Sequence, residues 1–384
     1  MKKFFRENKK ILKFVFWVFI AWQLVMAGII FLGSRALPSS NQYIYTEPKV
    51  ILNPPFLWSR ANFDGMHYLD IARKGYGVYQ RAFFPLYPKL VNSLTPFFGG
   101  RDLVAGWGIS LISLLLGLVL LAKLVKLDYK ENIARRAIIF LLIFPTAFFF
   151  SMVYTESFFL FLVLASFYFA RIKKWWLAGI FGALASATRL VGIFILPALL
   201  VEWGEQRKIS SAKTADQISN FAPIFLIPLG LLYYMRFLAI QYHDPLMFLH
   251  VQPFFGAERA TKIILLYQVF WRYLKMFWTV DKQSLTYFVV SLEFLVGLGF
   301  LGLLFFGYKK KIRLSYLVFA ALAYLLPTLS GTFSSMPRYA LTLFPCFIIM
   351  GLIENKMVKA LFFTIFFLLF AICAVLFTRG YWIA

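Results

Sequence analysis

The sequence predicts an all-α integral membrane protein, a multi-pass bundle of about eleven transmembrane helices, and three observations carry that expectation. Hydrophobic residues make up 61% of the 384-residue chain and charged residues only 15%, a balance that no soluble domain requires. Several apolar runs are long enough to cross a hydrocarbon core about 30 Å thick, which takes roughly 20 helical residues. Between those runs the cations gather in short clusters, at 2–13, 123–136, 171–174, 207–213, 309–313 and 356–359, and the positive-inside rule turns such loops to the cytoplasm.

Taken in order, helices are expected near 12–32, 104–124, 137–152, 157–171, 177–188, 190–203, 221–240, 285–306, 315–330, 339–353 and 358–377. The first follows a basic start, yet it is too long for a signal peptide and lacks a small-residue cleavage site, so it reads as a retained helix. The runs at 177–188 and 190–203 are short and meet at Thr188 and Arg189, which suits a hairpin or a partly re-entrant pair. This order describes one multi-pass domain over 1–384 in a cell membrane, with its N-terminus cytoplasmic. Two long segments remain on the extracytoplasmic side, at 33–103 and 241–284.

The formal charge of +24 does not signal nucleic acid, because the cations are not gathered into one basic domain with interleaved stacking aromatics. Cys346 and Cys373 lie inside apolar runs, with no disulfide framework and no zinc spacing.

In the first outer loop the run WSRANFDGMHYLDIARKGYGVYQRAFFPLYP at 58–88 sets polar residues between apolar segments, a pattern that marks functional sites in membrane proteins. Asn53, Pro54 and Pro55 break the chain before it, and a short helix fits 59–74, with Ser59 or Asn62 as its cap and Gly75 as its end. Asp64, His67 and Asp70 or Ile71 then fall along one side. The second outer segment holds HDPLMFLHVQ at 243–252 and the aromatic run ILLYQVFWRYLKMFW at 264–278, which suits a helix lying at the membrane interface. All three histidines, His67, His243 and His250, belong to these two segments. None stands at the spacing of a helical zinc pair, so no metal is expected.

Six blocks resemble the PIG-V-type mannosyltransferases and their bacterial relatives: FDGMHYLDIARKGY with AFFPLYP in the first outer loop, FFFSMVYTESFF at 148–159, GALASATRLVGIFILPALLVEW at 182–203, HDPLMFLHVQ at 243–252 and SSMPRYALTLFP at 334–345. The resemblance implies a GT-C-type glycosyltransferase, a many-helixed membrane enzyme with its catalytic acid in the first outer loop and a polyprenyl-phosphate sugar as donor. It implies a hexose, mannose by default, passed to a lipid-linked or surface acceptor. Neither cofactor nor metal is expected beyond membrane lipids and the two substrates, since a phosphate is already a competent leaving group.

Inverting sugar transfer needs a carboxylate to take the proton of the acceptor hydroxyl, and Asp64 is the candidate. The bland alternative is a first-turn carboxylate favoured by the helix dipole. His67, one turn on, is placed to orient Asp64 or to bond the leaving phosphate. Arg189 and Arg338 suit that phosphate, or else reach for lipid headgroups. Glu156 reads either as a contact for the acceptor or as part of a helix cap. His250 and Asp244 line the site from the second segment, although Asp244, ahead of Pro245, suits a turn. A transporter or flippase of lipid-linked sugars is the alternative from another class, and would keep its acids at mid-membrane, where Glu293 stands alone. A surface-glycan polymerase or ligase would share the donor chemistry.

Overall fold

A computed structural model describes residues 2–40, 55–209, 222–255 and 262–383. The stretch 41–54, where a loop and the break at Asn53 and Pro54 are expected, and the end of the basic cluster at 207–213 lie outside the described residues. Among the described residues there is no strand. Five helices among the described residues are long and apolar enough to cross a membrane: Lys9–Ala36, Asp102–Lys126, Ala222–Tyr242, Leu285–Lys309 and Lys356–Thr378; Trp175–Ser186 and Leu314–Thr328 are apolar but shorter.

Several other runs do not stay helical for their expected length. The span expected at 137–152 is the helix Glu131–Ile143 followed by a 3-10 turn at Ala147–Ser151, because Pro145 cannot continue the hydrogen-bond ladder. Pro345 acts alike on the span expected at 339–353, which is two short helices, Met336–Ala340 and Phe344–Gly351.

Contacts divide the chain into two compact units. One holds Met1–Lys74, Pro88–Leu164 and Phe347–Ile383, and the other Gly75–Tyr87 and Ala165–Cys346. In the first unit the Trp22 indole donates to the Leu142 carbonyl at 2.7 Å. Close packing is marked by Gly351, where an added Cβ would stand 2.9 Å from the Ile133 carbonyl oxygen. A buried aromatic cluster forms the middle of this unit: Phe149 meets Phe148 at 4.4 Å, Tyr154 at 4.9 Å and Phe377 at 5.0 Å between ring centroids.

In the second unit Trp175–Ser186 packs backbone to backbone on the 222–242 segment. A Cβ on Gly179 would fall 2.0 Å from the Pro223 oxygen, and one on Gly230 would fall 2.1 Å from that of Ala183. Small residues at such crossings are how apolar helices associate closely without a hydrophobic drive between them. The fully buried Glu202 carboxylate accepts from Arg313 at 2.6 and 2.8 Å and from the Ser315 hydroxyl at 2.7 Å; a buried charge persists only with this kind of pairing. The helix Leu266–Thr279 is amphipathic as its spacing predicts, with Val269 and Tyr273 buried while Tyr267, Trp271 and Trp278 are exposed.

Candidate functional site

The first unit brings two of the sequence blocks together. The helix carrying Asp64 runs from Asp64 to Lys74, later than the expected 59–74. Residues Ser59–Ala61 form a 3-10 turn, and Phe63 takes a left-handed conformation with φ 54°. That conformation is an outlier for a bulky residue, and strain of this kind concentrates at functional sites. Neither Ser59 nor Asn62 caps the helix as expected: the Asn62 amide instead donates to the Phe377 carbonyl at 2.8 Å. Gly75, at φ 82°, follows the helix end, as expected. Asp64 opens the first turn, and both it and His67 are half-buried.

Against this corner lies the Tyr-Thr-Glu-Ser block. The Val153 amide donates to the Arg60 carbonyl at 2.8 Å, and the Tyr154 hydroxyl donates to the Asn62 carbonyl at 2.7 Å. The hydroxyls of Tyr68 and Thr155 are 3.4 Å apart. Glu156 begins the next helix at 2% exposure, so the carboxylate read from sequence as an acceptor contact or cap is buried in the segment that packs on the Asp64 helix. The neighbouring Ser157 hydroxyl turns back to the Phe150 carbonyl at 2.7 Å.

Sequence reasoning passed over Arg60, which the structure buries to 3% exposure. Its guanidinium donates to the Ser151 carbonyl at 3.0 Å and hydroxyl at 2.8 Å and lies over the Trp107 ring at 4.4 Å. Burial pushes its pKa down to about 10, so it remains a cation at neutral pH, four residues before Asp64. Its flank of Ser59 and Ala61 carries no signal of such depth. Beside the far end of the Asp64 helix, a cavity of about 970 Å³ is lined by Arg73, Lys74, Asn92, Arg101 and Asp102. Arg73 pairs there with Asp102.

The second unit brings together the two expected arginines. Arg189 and Arg338 lie over the same ring, that of Tyr339, at 5.3 and 5.6 Å from its centroid. Arg338 does not precede a long helix, as expected, but sits within the short helix Met336–Ala340 and is buried. Both guanidiniums thus lie within cation–π range of one tyrosine ring.

Asp244 and His250 also meet. The carboxylate lies 2.7 Å from His250 Nδ1 and accepts from the Leu246 amide at 2.9 Å, so Asp244 does form the turn that Pro245 suggested. His250 is exposed. His243 ends the preceding helix with φ 56° and is exposed too. The AFFPLYP block joins this part of the unit: Phe84 packs on Tyr234 at 5.0 Å and Phe248 at 5.4 Å, and the Leu86 amide donates to Ala187 at 3.2 Å.

The acid set aside as solitary, Glu293, has partners. It is buried, and it accepts from the Tyr273 hydroxyl at 2.6 Å and from the Ser335 amide at 3.0 Å.

The chain matches no family model and no curated protein. It is similar in structure to ArnT from Cupriavidus metallidurans, solved bound to undecaprenyl phosphate, with a TM-score of 0.53 and 12% sequence identity over 95% of this chain and 76% of that one. At that identity the likeness concerns the fold alone, and among the described residues that fold is an all-helical bundle with apolar helices long enough to cross a membrane.

Proposed function

We propose that the chain is a membrane glycosyltransferase that moves a hexose from a polyprenyl-phosphate carrier to a lipid-linked or surface acceptor on the extracytoplasmic side. Mannose is the favoured sugar, by the motif resemblance to the PIG-V-type enzymes. The observation that carries the reading is the packing of the Tyr154–Glu156 segment against the strained corner that opens on Asp64. The fold supports it, since the ArnT chain of the same fold was solved with a polyprenyl phosphate bound.

In the proposed reaction the acceptor oxygen attacks the anomeric carbon as Asp64 takes its proton. The bond from that carbon to the phosphate oxygen breaks with inversion, and the polyprenyl phosphate leaves with the electron pair. Arg189 and Arg338 neutralise the charge that grows on the phosphate, where charge-assisted bonds are strongest. By the motif resemblance, His67 orients Asp64 or donates to the leaving phosphate, Glu156 bonds an acceptor hydroxyl, and Asp244 and His250 contribute to substrate binding. No metal enters these steps, and undiminished turnover in excess chelator is the expected result.

The test incubates purified protein with a panel of polyprenyl-phosphate sugars and membrane-extracted acceptors and follows transfer by mass spectrometry. Asp64→Asn is expected to abolish transfer while the protein stays folded and still binds the donor; unchanged turnover in that variant removes Asp64 from the role of base. For sidedness, a cysteine at the exposed position 77 is expected to be labelled only from outside, and Cys346 and Cys373, both buried, leave that signal clean.

A further inference from the structure

The segment that presents Arg338 is held in a conformation its own residues do not favour. Ser335 precedes the Met336–Ala340 helix at the N-cap position, yet it takes a left-handed conformation with φ 63°, and its side chain makes no cap bond. N-cap residues ordinarily sit in the extended region and use the side-chain oxygen to hold the first amides. Left-handed backbone is disfavoured for a residue bearing a Cβ. Something outside the segment must therefore fix this turn.

Glu293 does so. Its Oε1 accepts the Ser335 amide at 3.0 Å, and its Oε2 accepts the Tyr273 hydroxyl at 2.6 Å. The same tyrosine oxygen lies 3.1 Å from the Thr332 hydroxyl, which accepts the Ser334 amide at 3.0 Å. One turn along from Glu293 on its helix, Gly297 leaves room for Phe333, whose ring would stand 3.1 Å from a Cβ there. Arg272 adds a bond to the Gly331 carbonyl at 3.2 Å. The carbonyl of Ser335 in turn accepts the amides of Arg338 and Tyr339, each at 3.0 Å, so the orientation of Ser335 passes directly into the turn that carries Arg338. A carboxylate in an apolar helix is costly, and here it serves the backbone of one loop.

We propose that Glu293 is a positioning residue: its two oxygens fix the left-handed turn at Ser335 and so set where the Arg338 guanidinium meets the donor phosphate. This rests on the reading of Arg338 as a phosphate-binding residue. Glutamine can replace it by geometry, because an amide oxygen accepts from Ser335 while its NH2 donates to the Tyr273 oxygen, whose own proton turns to Thr332. Leucine cannot.

The test uses the full-length protein in detergent with undecaprenyl phosphate as probe. Expected are at least a tenfold loss of affinity and a matching rise in donor KM for Glu293→Leu, and near-normal values for Glu293→Gln. Because glycine adopts positive φ without help, adding Ser335→Gly to Glu293→Leu should recover most of the loss, which a merely structural role for the acid would not allow. Should Glu293→Leu fail to fold, Tyr273→Phe removes one of the two anchors and is expected to give an intermediate loss, again recovered by Ser335→Gly. Normal affinity in Glu293→Leu, or no recovery in the folded double variant, overturns the proposal. Arg338→Ala separates the two claims. If it leaves probe affinity intact, the phosphate reading has failed, and amide exchange across 335–339, faster in Glu293→Leu and restored by Ser335→Gly, still decides whether Glu293 positions the turn.

Discussion

The Tyr154 hydroxyl donates to the backbone carbonyl of Asn62 at 2.7 Å, and this bond joins two segments far apart in sequence at the residue pair that precedes Asp64. The same carbonyl also accepts the Gly65 amide at 3.2 Å, so it stays partly satisfied when the phenol oxygen is removed. Tyr154→Phe is accordingly expected to cost about 1 kcal/mol, the ordinary net value of one buried hydrogen bond. It should also lower kcat while leaving donor KM unchanged. Thermal unfolding in detergent and initial-rate kinetics check both, and unaltered kcat would detach the Tyr154 contact from the Asp64 corner.

Gly65 is where the helix and the Tyr154 segment touch. A Cβ there would lie 3.3 Å from the Tyr154 ring and 3.3 Å from the Val153 carbonyl oxygen. Neither neighbour gives way easily, because the ring is held through its hydroxyl and the Val153 backbone through its amide. Alanine improves helix propensity by about 1 kcal/mol, but overpacking of this kind costs about 1–3 kcal/mol, so Gly65→Ala should lower the unfolding midpoint and slow turnover by moving Asp64. Gly28, which has nothing within 4 Å of an added Cβ, is the contrast: Gly28→Ala should be neutral or stabilising. A Gly65→Ala protein as stable and active as the parent would show that the corner yields.

These contacts also show how far the sequence could be read. The Asp64 helix was legible because Gly75 closes it and acid and histidine fall one turn apart. Its start was not, since the turn is made by left-handed Phe63, a residue type that advertises no such turn, and Asn62 spends its amide on Phe377, near the other end of the chain. The helix at 266–279 was legible from Arg272 and Lys275, three apart among its aromatics. Arg338 was found as a residue, but its setting was hidden: Pro345 splits the apolar run, and the anchor of the loop is a backbone amide, which no side-chain pattern reveals. For the same reason Glu293 looked isolated, because its partner at Ser335 is main chain.

Arg189 and Arg338 each lie within 5.6 Å of the centroid of the Tyr339 ring. Lysine keeps the charge but loses the planar fork and the stacking on the ring. Arg338→Lys is therefore expected to weaken donor binding by roughly tenfold, about 1.4 kcal/mol, and Arg338→Ala by more. Because both arginines use one ring, their effects should not add. A double-mutant cycle with Arg189→Ala is expected to return a coupling of about 0.5 kcal/mol or more. Strict additivity would mean that the two cations serve different ligands.

The Asp244 and His250 pair makes a prediction about acid. The hydrogen bond from His250, aided by the Leu246 amide, holds the Asp244 carboxyl below its ordinary value of 3.8. A carboxyl depressed in the folded state contributes stability above its unfolded value, and that contribution is lost as pH falls through the lower folded value. Asp244→Asn keeps an oxygen for the Leu246 amide, so the turn persists and only the charge is removed. Between pH 5 and pH 3 the unfolding midpoint of the parent should therefore stay above that of Asp244→Asn until the medium is more acidic than about 3.8, and the two should converge only below it. His250 is exposed and Asp244 only half-buried, so the difference should be small and should shrink further in high salt. Convergence already at pH 5 would mean that the Asp244 carboxyl is not held ionised by His250, and would leave Asp244 with the turn alone.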